Sequence, residues 1–108
     1  MLYQQGDVLF QRPPLEAIRD CNRNRQVPCN GRYILVEGEH TGHMHCVREE
    51  GVSVHRDHET KELILRCTMP VLVTHPEHAP ILLPTGFWIV SKVKEYDHFS
   101  ENIHDVED

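Results

Sequence analysis

No stretch of this 108-residue chain approaches the apolar length of a membrane-spanning helix, which argues against a membrane protein of that kind. Cysteine is sparse and unpaired by spacing. Cys21, Cys29, Cys46 and Cys67 form no Cys-x-x-Cys, so neither a zinc ribbon nor a thioredoxin-type motif is expected. There is no glycine-rich phosphate loop, no Gly-x-Ser-x-Gly and no interleaving of basic and aromatic residues. The formal net charge of −6 also argues against a general nucleic-acid binder. Residues 1–7 lack a basic region followed by an apolar core, so a cytoplasmic protein with reduced thiols is expected.

What remains is one domain by size, with the composition of an ordinary soluble globule. Charge is unevenly placed. Five of the eleven basic residues (Arg12, Arg19, Arg23, Arg25 and Arg32) lie in a polar loop over 12–32. Residues 95–108 form an acidic tail with Glu95, Asp97, Glu101, Asp105, Glu107 and Asp108. Both are solvated segments by default, and either is a candidate contact for a protein partner or for a second copy in a homodimer.

The hydrophobic pattern is β almost throughout. Val8 to Gln11 alternates and is stopped by Pro13 and Pro14. Leu15, Ala17 and Ile18 suggest a single helical turn. From Tyr33 onward, short runs rich in strand formers recur: 33–37, 43–48, 52–55, 63–67, 71–73, 81–83 and 87–94. About seven to nine strands with this turn spacing predict an all-β fold, a small single-domain β-barrel or sandwich over residues 1–94. Cys46, Cys67, Tyr33 and Trp88 read as packing residues.

Against this plain background stand nine histidines. Five fall in two short clusters, His40-Thr41-Gly42-His43-Met44-His45 and His75-Pro76-Glu77-His78. Strand side chains alternate, so His43 and His45 share a face. Two imidazoles at that spacing can grip one ion, and His75 or His78 can add a third ligand from a neighbouring connection. Glu49 shares the same face if the strand stays regular, and Glu77 lies inside the second cluster. Either is a candidate carboxylate ligand or general base. Gly42 would relieve crowding before the first ligand. The ligand types suit a divalent transition metal: zinc, iron, nickel or manganese. An open coordination position would admit water or a small-molecule substrate. The competing reading is a non-enzymatic accessory or interaction module, with structural or pH-responsive histidines. His55, His58, His98 and His104 read as surface residues.

His43-x-His45 followed by Glu49 resembles the first half of the cupin metal motif, and Pro84-Thr85-Gly86 resembles the turn of the second half. The last cupin histidine should follow that turn, where this chain has Phe87-Trp88-Ile89-Val90. A fuller resemblance, over about residues 6–98, is to small uncharacterised bacterial and phage-associated proteins. It rests on Gly38-Glu39-x-Thr41-Gly42-His43-x-His45, His75-x-Glu77-His78-x-x-Ile81-x-Leu83-Pro84-x-Gly86 and Glu95-Tyr96-Asp97. That resemblance implies one centre built from His43, His45, His75 and His78, with Tyr96 near it and His40 outside it. It implies no particular activity.

Overall fold

The computed structural model describes residues 1–19, 24–37 and 42–93. The candidate residues His40, His98, His104, Cys21 and Tyr96, and the whole of 95–108, lie outside these. Nine strands and one short helix follow in order: β1 (Leu2–Gln5), β2 (Val8–Gln11), α1 (Leu15–Arg19), β3 (Arg32–Glu37), β4 (Met44–Arg48), β5 (Val52–Arg56), β6 (Leu63–Cys67), β7 (Val71–Thr74), β8 (Ile81–Leu83) and β9 (Gly86–Lys92). They form two antiparallel sheets, β1-β2-β9-β6-β5 and β3-β4-β7-β8. Among the described residues no strand ladder joins the sheets, so the fold is a sandwich and not a closed barrel. No described helix is long and apolar enough to cross a membrane.

The period-2 pattern determines what lies between the sheets. Val8, Phe10, Val54, Leu65, Trp88 and Val90 face inward from the first sheet, and Tyr33, Leu35, Val47, Val73 and Leu83 from the second. Trp88 and Leu65 are fully buried; burying a side chain of the Leu or Phe class contributes about 1.5–3 kcal/mol. The other face of the first sheet is also covered. Ala17 of α1 packs on Ile64, with Phe87 and Ile89 against them.

His55 corrects the sequence reading. It is 2 % exposed, not a surface residue. It points away from the inter-sheet core, beside Ile64 in the β5–β6 ladder. The chain from Arg25 runs over that face: Arg25 bridges to His55, and Gln26 N–H donates to the Val54 carbonyl. His55 Nε2 is 3.0 Å from Ser53 Oγ. Burial here comes from a segment without periodicity, which strand parity cannot foresee.

Two departures from a regular sandwich shape the end where the histidines gather. β1 and β2 are joined by a two-residue turn, Gly6 and Asp7, with Gln5 paired to Val8 and Gly6 at φ +60. Glycine first in such a loop matches the twist of the flanking strands. The β3–β4 register also shifts between Ile34 and Val36, so Val36 pairs with His45. Bulges of this kind re-aim neighbouring side chains.

Candidate functional site

The β4 alternation places His43 and His45 on one side, as their spacing requires. β4 pairs with β7 through Cys46 opposite Thr74. Continuing that antiparallel register sets His45 opposite His75, just past the end of β7, and their ring centroids are 4.3 Å apart. The chain then turns at Pro76 and returns His78 to the same place, 4.5 Å from His75 and 6.2 Å from His45. His43 lies 5.7 Å from His75, edge to face. All four histidines of the implied centre are therefore neighbours at one end of the sandwich. His45 is buried, and His43, His75 and His78 are half-buried.

These spacings have the scale of a ligand set. Imidazoles bound through nitrogen at about 2.0–2.1 Å have ring centres roughly 3.2 Å from the ion, hence about 4.5–5.2 Å apart at angles of roughly 90–109°. The observed separations, 4.3 to 6.2 Å, straddle that range. The nitrogens themselves do not converge. Among the described residues, no group of three or more His, Cys, Asp or Glu is arranged to hold a metal ion.

Hydrogen bonds fix how two of the rings are protonated. Gln5 of β1 is 2 % exposed. Its Nε2 donates to the carbonyls of Val73 (3.0 Å) and Ala79 (2.9 Å). Its Oε1 must therefore be the atom that meets His45 Nδ1 at 2.8 Å. A carbonyl oxygen can only accept, so Nδ1 carries the proton and neutral His45 has its lone pair on Nε2. His75 is set the opposite way. The Glu77 backbone N–H donates to His75 Nδ1 at 3.0 Å, so a neutral His75 carries its proton on Nε2.

Two carboxylates flank the rings. Glu77 Oε1 is 3.4 Å from His43 Nδ1 at the exposed margin. Asp7, in the β1–β2 turn, has Oδ1 4.0 Å from His45 Nε2 and Oδ2 3.7 Å from Lys92 Nζ. Glu49 is not brought here. β4 ends at Arg48, and Glu49 N–H donates to the Gly31 carbonyl at the opposite end of the strand. There Glu49 lines an open hollow with Arg25, Tyr33 and Val52. The carboxylate of the cupin-type pattern is thus displaced by the whole length of β4.

Gly42 also has a different reason from the expected one. A Cβ at this position would meet nothing within 4 Å, but its φ is +75. Backbone conformation, not crowding, calls for glycine before His43. Cys46 is buried on the other side of β4, where burial pushes its thiol up from its ordinary value against the pull of Arg32. Cys67 is pushed up to about 11 by burial. Neither supplies a thiolate to the site.

Gln5 and Asp7 are the site residues that sequence reasoning missed. Gln5-Gly6-Asp7-Val8 is a hairpin signal, and that hairpin delivers both residues to the histidines. The comparisons with known proteins add the family and no activity. No curated protein and no solved structure matches the chain. A family model described as a domain of unknown function, DUF8820, matches residues 4–92, a span holding every residue of the site, and the chain belongs to that family.

Proposed function

We propose that this domain binds a divalent first-row transition ion, zinc, iron, nickel or manganese, through its histidine cluster. His43, His45 and His78 are the ligands of this reading, and His75 is a fourth ligand or a neighbour that donates to them. The supporting observation is the buried hydrogen bond from His45 Nδ1 to Gln5. Metal-binding histidines characteristically donate their other ring N–H to an acceptor that fixes tautomer and orientation. Gln5 has that relation to His45, and Glu77 has a longer version of it to His43. Closing the set needs small ring rotations and no movement of strands. Glu77 serves as an orienting carboxylate for His43 here, beside a margin wide enough for water or a small substrate. The account takes the protein as cytoplasmic, where its free thiols stay reduced.

A second reading is favoured by a different observation. No donor group among the described residues is already set to hold an ion, as expected of an accessory module whose histidines simply pack and hydrogen-bond. Calorimetric titration of untagged, chelator-stripped protein with zinc, iron(II), manganese and nickel separates the two. The metal reading requires saturable binding near one ion per chain, lost in His43→Ala and His78→Ala variants that still fold. Absent binding, or binding unchanged in both variants, favours the module.

A further inference from the structure

We infer that Asp7 is an inner ligand of the proposed centre, giving three imidazoles and one carboxylate with His75 outside the set; this inference rests on the metal reading above. His75 Nδ1 accepts the Glu77 N–H at 3.0 Å. Its remaining nitrogen is then a donor, and a donor N–H does not bind a cation. The lone pair of His45 is on Nε2, and the nearest carboxylate oxygen in the ion-pair geometry is Asp7 Oδ1, 4.0 Å away. That distance is too long for a hydrogen bond, whose heavy atoms lie within about 3.2 Å. Two donors each about 2.1 Å from one ion stand roughly 3.0–4.2 Å apart as their angle opens from about 90° to 180°. The gap thus matches two atoms sharing an ion better than two atoms sharing a proton.

The backbone holds Asp7 there independently of any ion. Asp7 closes the Gly6 turn, and its carbonyl accepts the Val93 N–H at 2.8 Å. Lys92 lies 3.7 Å from Oδ2, the other carboxylate oxygen. The two oxygens therefore have different charge partners, which favours one-oxygen binding to the ion. A carboxylate in place of a fourth imidazole offsets one of the ion's two charges. It shifts preference toward ions that accept mixed nitrogen and oxygen ligands, zinc, iron(II) and manganese(II), and away from copper(I).

The test is a cobalt(II) titration of the full chain, read by its visible d–d absorption, which reports ligand number and type. Wild type is expected to bind near one equivalent. Asp7→Asn keeps the shape and removes the charge. It is expected to bind cobalt about 10–100-fold more weakly, the scale on which disturbed ligand shells lose affinity, with a changed band envelope. Lys92→Gln leaves the carboxylate in place and is expected to bind at least as tightly as wild type. Equal affinity and equal bands in Asp7→Asn would overturn the ligand assignment while leaving the metal reading intact. A tenfold loss in Lys92→Gln would show that the charge pair, and not a ligand bond, matters, and would also overturn it. Wild type that binds no cobalt overturns the metal reading and this inference with it.

Discussion

Replacing Gln5 with leucine tests the physical core of the site. The Gln5 amide joins three pieces of chain that are remote in sequence: β1, His45 of β4, and the β7–β8 connection at Val73 and Ala79. Leucine has similar bulk but cannot accept from His45 or donate to the two carbonyls. Three buried polar groups lose a partner, at roughly 1 kcal/mol or more each. The expected loss is about 3 kcal/mol, a large share of the roughly 5–15 kcal/mol that holds a domain together. At about 4 °C per kcal/mol, the melting temperature should fall by about 12 °C. Gln5→Glu separates the roles. A carboxylate still accepts from His45 Nδ1, and more strongly, but it cannot donate to Val73 or Ala79. The glutamate variant should therefore lose stability yet keep metal affinity. The leucine variant should lose stability and about 10–100-fold in affinity. Differential scanning calorimetry and metal titration on the same samples check both. A leucine variant that melts within a degree or two of wild type would refute the reasoning.

Three further outcomes follow from other parts of the molecule. Gly42→Ala should cost about 1–2 kcal/mol, the penalty of left-handed backbone for an L-residue, although nothing crowds the new Cβ; Gly42→Asn should cost less, and equal melting of Ala and wild type would contradict this. At mild alkaline pH a thiol reagent followed by peptide mapping should label exposed Cys29 and spare buried Cys46 and Cys67; rapid labelling of Cys67 would contradict its raised pKa. Asp57 is held below its ordinary value chiefly by the Thr60 side-chain hydrogen bond at 2.7 Å. The native state thus binds fewer protons there than the unfolded chain, so this stabilisation is present above the unfolded pKa and disappears as pH falls through the folded one. Asp57→Asn should melt lower than wild type near neutrality, with the gap closing on acidification.

Most strands were legible because alternation reports burial directly. Val52 and Val54 point inward as their period demands, as do Tyr33, Leu35 and Val73. β1 was not legible, because the inward position at its end is Gln5, a polar residue placed for its hydrogen bonds and not for apolar contact. The convergence of His43 and His45 was readable from parity, and that of His75 and His78 from their place in a connection. Asp7 was hidden because a turn residue has no face until the hairpin forms and pairs with β9. Glu49 misled because strand parity was carried one residue past the end of β4, into the turn at Gly51, whose φ is +75. His55 misled because an unpatterned segment covers it. In each case the missing information was tertiary: which chain lies over which face, and where a ladder stops.

The most direct test of the central claim is the metal content of the protein purified without a histidine tag and without chelator, measured by plasma mass spectrometry beside the His45→Ala variant. The account predicts near-stoichiometric zinc, iron, manganese or nickel in the wild type and a metal-free variant. Wild type without metal, and taking up none on reconstitution, would contradict it.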